Sequence, residues 1–525
     1  MMSGSRERIN IVDLFAGPGG LGEGFAACLN ERAKPCFKVV LSIEKDAYAH
    51  RTLELRSFFR QFAVGKAPQE YYGYLRGEIS RNQLFNRWPA QAEAAACQAW
   101  HAELGSSLFP TKVVDRRIQR ALGSARNWVL IGGPPCQAYS TVGRSRMRGS
   151  DPQAFDKDPR HFLYREYLRI LAVHAPPVFL MENVKGIISA KVNGNKIFSK
   201  ILSDLHEPSK CLRSSTHMGG GIKDSLKYKL YPLSQREMTG LVVSPSSFVV
   251  KMGRYGIPQD RHRVIILGIR EDLDVEPDVL TLSKEEVPAW DAIGDLPKLR
   301  SSLSHEEDSG TLWREIIRAI PQSKWIDSDS VDPKLKARLI ACALRAGDIL
   351  PVGGEYVSCT KKPKYIPDWY TDDRLNGVCN HSFRSHIRAD IERYFFAACF
   401  ARVHKRSPLL KDFPEALLPK HGNVKDAIGT GNRLFSDRFR VQLGNRPAAT
   451  ITSHMAKDGH YFIHPDTAQC RSLTVREAAR LQTFPDNYFF EGPKTSQYEQ
   501  VGNAVPPLLA KDIAKIVYKV FGTNA

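Results

Sequence analysis

A single thiol, Cys136, stands behind two glycines and two prolines in IGGPPCQAYS, residues 131–140. Proline fixes φ and lacks a backbone donor, so Pro134 and Pro135 end any helix or central strand. The run Trp128-Val129-Leu130-Ile131 ahead of them predicts a buried strand, stopped by Gly132-Gly133. Cys136 is thus expected on a stiff loop at a strand's carboxyl end, the edge where open α/β sheets bind ligands. A free cysteine is more often a small core hydrophobe, yet this backbone points to a presented thiol, and the rest of the chain must say for what. Glu182 in MENV follows another apolar strand at the same expected edge. Glutamate is rarely buried without a partner, so a pocket shared with Cys136 is preferred to a solvated loop carboxylate. In QDRHR, residues 259–263, Arg261 and Arg263 alternate and would point to one side of an extended chain. A solvated basic strand end or a plain phosphate clamp is the blander use of such a pair. Gly17, Gly19 and Gly22 spell GxGxxG between a strand and a helix, and Glu44 ends the next strand. A carboxylate there can accept both ribose hydroxyls. Alone, the glycines are a weak nucleotide signal, and close helix–sheet packing would also demand them.

Positioning these groups requires strands that alternate with helices. Ile11–Phe15 predicts a strand, followed by a glycine-rich turn and a helix to about Asn30; Val39–Ile43 predicts the next strand. The alanine-rich AQAEAAACQAWHAEL predicts a helix, as does His161–Val173, and Val178–Met181 a further strand. GRYGIPQDRHRVIILGIR gives a turn, a basic cluster and another strand. This order predicts a parallel sheet with helices on both faces. Beyond about Asp272 the pattern loosens, and 298–445 mixes short helices, Pro and Gly punctuation and basic or aromatic stretches such as TKKPKYIPDWYTDDR. The α/β character returns near Arg446 and ends in a helix from about Pro507 to Val520.

The chain has 525 residues, 42% of them hydrophobic, and a formal net charge of +19. That is enough apolar material for a large core. The charge points to a polyanionic partner, a nucleic acid or an acidic membrane surface, unless it serves solubility alone. No apolar run approaches the ~20 residues that span a bilayer, and MMSGSRERIN lacks the apolar core of a secretory signal. The 10 cysteines are scattered without CxxC pairs, which argues against a disulfide framework and a structural zinc site and for a reduced, cytoplasmic compartment. Cys379, His381 and His386 in CNHSFRSHIRAD fit no standard zinc spacing and read as scattered polar loop residues.

In order and across most of its length, the chain resembles the DNA (cytosine-5) methyltransferase family. DLFAGPGGLGEGF is similar to its cofactor motif, GGPPCQ to its nucleophile loop, MENV to its catalytic glutamate segment and QDRHR to its paired arginines. RPAATIT, residues 446–452, resembles the segment supporting the recognition domain, and GNAVPP, 502–507, the final motif that folds back onto the cofactor. The resemblance implies an α/β, Rossmann-like S-adenosylmethionine-dependent methyltransferase fold with a smaller, irregular target-recognition domain. Residues 1–285 would form the first catalytic part, 286–445 the recognition domain with its linker, and 446–525 the catalytic return.

The implied reaction transfers methyl from S-adenosylmethionine to C5 of a cytosine flipped out of a specific duplex DNA sequence. Attack of the Cys136 thiolate on C6 would make C5 enamine-like, and nearby cations would favour that thiolate. Glu182, with a pKa raised by burial, would hold or donate a proton at N3 and recognise the exocyclic amine. Arg261 and Arg263 would position the base and its flanking phosphates. The target base must leave the duplex stack. STVGRSRMRG resembles the family's mobile DNA-closing loop, with Gln137, Ser140 and Arg144 near the flipped strand.

For the cofactor, the resemblance carries over to Phe15, Ala16, Gly17, Gly19 and Leu21 at the glycine turn, with Glu44 on the ribose. Pro135 and Leu163 would wall the site, Asn503 and Ala504 would close it, and no metal is expected. Three departures stand out. Trp128 replaces the usual acidic or polar residue before the nucleophile strand, and Lys45 follows Glu44 where some members place an aromatic. The aspartate that binds the adenine amine has no clear counterpart. Glu78 in Gly77-Glu78-Ile79 is preferred over Asp115 in VVDRRI, although a helical insertion of about 81–126 would separate it from the nucleophile strand.

The implied partner is double-stranded DNA, with a cognate restriction endonuclease or defence system as a further one. A monomer on DNA, associated with the bacterial nucleoid, and a bacterial or phage modification role are expected. An RNA cytosine-5 methyltransferase, a non-catalytic nucleic-acid-binding relative and a nicotinamide-dependent oxidoreductase are the rival readings.

Overall fold

The computed structural model describes residues 8–135, 160–192, 195–213, 226–234, 244–346, 349–419 and 436–522. Runs rich in valine, isoleucine and leucine form its central sheet: β1 (Ile9–Leu14), β2 (Phe37–Glu44), β3 (Ala99–His101), β4 (Trp128–Gly132), β5 (Val178–Val184), β6 (Tyr228–Pro232), β7 (Val249–Lys251) and β8 (His262–Arg270). The hydrogen-bonded order is β3-β2-β1-β4-β5-β8-β6, and β7 pairs with β8. Strands β1 to β5 are mutually parallel. β8 runs antiparallel to β5, β6 and β7, so the expected all-parallel sheet is a mixed one. The reason is connection length: a parallel neighbour needs a crossover of roughly a dozen residues or more, and only residues 252–261 join β7 to β8.

Helices flank this sheet: α1 (Gly20–Ala26), α2 (Ala47–Phe59), α3 (Gln69–Leu75), α4 (Arg81–Arg87), α5 (Pro89–Gln98), α6 (Thr111–Leu122) and α7 (Arg160–His174). Period-2 alternation sends side chains to both faces. Ile11, Val39 and Ile131 pack on one face with Phe25 of α1 and with Leu509, Ile513 and Val517 of a C-terminal helix. Val12, Leu14, Leu41 and Leu130 pack on the other with Ile118, Tyr167 and Leu171. Each such side chain contributes roughly 1.5–3 kcal/mol on burial. Trp128, the unusual first residue of β4, is buried in the second of these cores.

The rest of the chain supplies α8 (Gly310–Ala319), α9 (Pro333–Leu344), the strands β9 (Gly353–Ser358) and β10 (Gly377–Ser382), α10 (Arg388–His404), α11 (Val475–Leu481), α12 (Lys494–Asn503) and α13 (Pro507–Gly522). The interval 286–445 contributes to separate cores. Trp313, Leu335, Leu339, Phe395 and Phe413 build a helical lobe. The β9–β10 hairpin instead packs on α2 and α3, with Leu375 and Cys379 against Phe58, Tyr71 and Tyr72. Cys379, His381 and His386 are not loose polar residues: all three are buried. His381 bonds the Thr474 hydroxyl (3.0 Å) and the Pro297 carbonyl (2.8 Å). Among the described residues no helix is long and apolar enough to cross a membrane.

The helical insertion expected over about 81–126 holds three helices but also a strand. The alanine-rich helix α5 stops at Gln98, and Ala99–His101 pairs with β2 as edge strand β3, Glu44 opposite His101.

Candidate active site

At the end of β1 the chain turns sharply. Phe15 adopts φ 55° and Gly19 φ 96°, left-handed values that cost a non-glycine residue of order 1–3 kcal/mol and tend to mark functional turns. The turn brings the Gly17 amide to Glu44 Oε2 at 2.7 Å, while Oε1 accepts from the amides of Lys45 (2.9 Å) and Asp46 (2.8 Å). Burial pushes the Glu44 carboxyl up, and these three amides pull against it.

A cavity of about 330 Å³ opens here, at the carboxyl edge of the parallel strands. Phe15, Ala16, Gly17, Leu21, Glu44, Pro135, Leu163, Asn503 and Ala504 line it as expected; Gly19 shapes the turn without lining the cavity. Glu78 and Asp115 do not line it. Glu78 is exposed and paired with Arg76, its neighbour across a tight turn. Asp115 faces away on α6, held by Arg169 and His174. Glu103, just past β3, does line the cavity and pairs with Lys45 at 3.1 Å. Sequence reasoning missed Glu103 because the alanine-rich pattern concealed the strand end before it.

The cavity wall carries six carboxylates, Asp13, Glu44, Asp46, Glu103, Glu182 and Glu499, and one cation, Lys45, among the described residues. Asp13 is 1% exposed, and neither of its oxygens has a hydrogen-bond partner among the described residues. Burial pushes its pKa up to about 8, against the field of Arg60 and with that of Glu44. In a chain of charge +19, this wall suits a small cationic ligand. A dinucleotide's pyrophosphate would meet repulsion there, which disfavours the nicotinamide reading. The donor set fits S-adenosylmethionine: an orphaned carboxylate for a cationic group, a bent glycine turn, and acids at the ends of β2 and β3 for hydroxyl or amine donors.

Beside the cavity, Glu182 lies in β5 opposite Ile265 of β8, and Arg263 of β8 lies opposite Val184. Arg263 Nε meets Glu182 Oε1 at 3.0 Å. Burial pushes the Glu182 pKa up, and Arg263 and Arg261 pull it back only in part. The carboxylate stands close to the turn after β4: a Cβ added at Gly133 would lie 3.0 Å from Glu182 Oε2. The Asn183 amide donates to the Pro134 carbonyl at 3.2 Å. Cys136 and the expected DNA contacts Gln137, Ser140 and Arg144 lie outside the described residues.

Arg261 departs from its expected place at the base and phosphates. It is fully buried, and its guanidinium donates to the carbonyls of Ile451 (2.6 Å), Gly502 (3.1 Å) and Ala504 (3.0 Å). It clamps the C-terminal segment that closes the cavity. The alternation argument failed because Arg261 is not in a strand: its amide turns back to the Gln259 carbonyl before β8 begins.

An α/β sheet with this acidic pocket at its carboxyl edge has the fold of S-adenosylmethionine-dependent methyltransferases. The family profile for C-5 cytosine-specific DNA methylase matches residues 88–208 and 243–519. The chain is 32% identical to the Type II methyltransferase M.Bpa9945I of Bacillus paralicheniformis, over 97% of this chain and 98% of that one. It is 27% identical to the DNA (cytosine-5-)-methyltransferase M.ApeKI of Aeropyrum pernix, over 75% and 81% of the two chains. Among solved structures, a candidate DNA modification methyltransferase encoded within an E. coli prophage superposes with a TM-score of 0.52 at 18% identity, covering 98% of this chain and 99% of that chain. The chain belongs to the C-5 cytosine-specific DNA methylase family and is a DNA (cytosine-5-)-methyltransferase.

Proposed function

We propose that this enzyme methylates cytosine within a defined duplex sequence, with Cys136 as nucleophile and Glu182 and Arg263 gripping the extrahelical base. The observation that carries the reading is the largely buried Glu182–Arg263 pair, with Glu182 in the cavity wall close to Gly133 in the turn that leads to Cys136. Asp13, Glu44 and Glu103 would hold S-adenosylmethionine, which supplies the methyl group. Cys136 attacks C6 of the flipped base as Glu182 holds a proton at N3. Once C5 is methylated, a base removes the C5 proton and Cys136 leaves by elimination. Arg263 keeps Glu182 oriented and is free to share its remaining donors with the base. Residues 1–285 and 446–525 perform the transfer, and the helical lobe within 286–445 selects the site. The enzyme acts as a monomer, and an endonuclease reading the same sequence is its proposed partner.

Fluorine at C5 cannot leave as a cation, so DNA carrying 5-fluorocytosine at the target should trap a denaturation-resistant adduct. Cys136→Ser should abolish it, since a hydroxyl is scarcely ionised at neutral pH, and Cys97→Ser or Cys211→Ser should leave it intact. An adduct surviving Cys136→Ser contradicts the assignment. Base-resolution mapping of a plasmid from expressing cells gives the sequence.

A further inference from the structure

Lys45, the one cation in the cavity wall among the described residues, has no part in the transfer steps. Its backbone is held on both sides. The amide donates to Glu44 Oε1 at 2.9 Å, and the carbonyl meets the His101 ring nitrogen Nε2 at 2.9 Å. The His101 ring stacks on that of His50, centroids 5.0 Å apart. One residue on, Asp46 caps α2 by accepting from the Tyr48 and Ala49 amides (3.1 and 2.8 Å). The Ala102 amide donates to the Glu44 carbonyl at 3.0 Å. The chain leaving β2 is thus zipped to the chain leaving β3, and the zipper sets Lys45 Nζ 3.1 Å from Glu103 Oε1. Both side chains line the cavity and both are half-exposed, so each keeps hydrogen-bonding capacity for a ligand.

We propose that Lys45 determines cofactor specificity: its ammonium donates to a ring nitrogen of adenine while Glu103 accepts from the neighbouring exocyclic amine. The proposal rests on the reading that this cavity takes S-adenosylmethionine. Sheet order says which end of the cofactor lies here. Lys45 and Glu103 follow β2 and β3, whereas Pro135 follows β4 and Glu182 lies in β5, with β1 between the two pairs. Neighbouring strands stand about 4.8 Å apart, so Lys45 is at the end of the cavity remote from the chain leading to Cys136. The methyl-bearing sulfur belongs near that chain, which leaves the ring end for β2 and β3. The chemistry of the two ends agrees. Asp13 offers a carboxylate without a hydrogen-bond partner among the described residues, whereas Lys45 and Glu103 offer a donor beside an acceptor. Adenine presents the complement, a ring nitrogen that accepts beside an amine that donates.

The test is calorimetric titration of the full-length protein with S-adenosylhomocysteine and with its 1-deaza and 7-deaza analogues, each of which replaces one ring nitrogen by C–H. One analogue should bind the native protein roughly tenfold more weakly than the parent, and it identifies the nitrogen that Lys45 reaches. Lys45→Met keeps the apolar stem and loses the donor. It should bind the parent roughly tenfold more weakly and no longer distinguish it from that analogue. Lys45→Arg, which keeps charge and donors, should retain the distinction. Analogues that both match the parent on the native protein overturn the proposal, and so does undiminished affinity in Lys45→Met. A lysine acting through its field alone gives the opposite sign: cationic S-adenosylmethionine would bind Lys45→Met more tightly, which also overturns it. A native protein that fails to bind S-adenosylhomocysteine at all overturns the cofactor reading and this proposal together.

Discussion

Asp13 holds a carboxylate in the cavity wall with no partner for either oxygen among the described residues. Its pKa is near 8 rather than 3.8, so it is neutral at pH 7 in the free protein. A cation beside it favours the ionised form, so cofactor affinity should rise with pH to about 8 and then level. Calorimetry in buffers of different ionisation heat reads the proton released, and an affinity flat between about pH 6 and 9 contradicts this. Stability runs the other way. The folded pKa exceeds the unfolded one, so the contribution is full below about pH 4 and is lost as pH rises through 8. Asp13→Asn should therefore raise the unfolding free energy near pH 8 by about 1–3 kcal/mol while weakening cofactor binding. Glu182→Gln keeps the shape but has no acid proton for N3. It should slow methyl transfer by about 10²–10⁴-fold with cofactor affinity unchanged; turnover near normal would remove Glu182 from the mechanism.

At the scale of elements, the helix α11 and the segment just before it carry unusual cargo. Arg471, Arg476 and Arg480 are all fully buried. Arg480 makes a two-bond pair with Asp486 (2.8 and 2.7 Å) and reaches Asp295 at 2.6 Å, tying α11 to the segment ahead of the helical lobe. Arg480→Met should destabilise the protein by about 3–5 kcal/mol, because two buried acids lose their cation. A denaturation midpoint unchanged from wild type would show the acids to be neutral. Strand ends were the legible part of the sequence: Glu44, Glu182 and the glycine turn stand where strong β-formers give way to loops. Glu103 was hidden because β3 is only Ala99-Trp100-His101, an edge strand that continues an alanine-rich helical pattern. Helix propensity there is overridden by pairing with β2, a tertiary effect that no local window contains. The division of 286–445 between a helical lobe and a hairpin was equally invisible, since it depends on which cores the segments join.

For the whole molecule, charge is partitioned. The chain carries a net +19 while its cavity is walled by acids, so the molecule can attract DNA while the pocket attracts a small cation. Each phosphate neutralised releases counterions, and log affinity for DNA should fall with log salt by about 0.9 per contact. Filter binding or anisotropy between about 50 and 200 mM salt should record at least a tenfold loss, with cofactor affinity falling far less. A flat DNA response would assign the charge to another purpose. The cavity also has a history in time. Its floor comes from residues 9–44, and its closing wall from α12 and the segment Arg261 clamps, at residues 494–505. A ribosome makes these parts hundreds of codons apart. A nascent chain therefore carries an open half-pocket for most of its synthesis, and premature termination anywhere before the clamp yields a product unable to mark DNA.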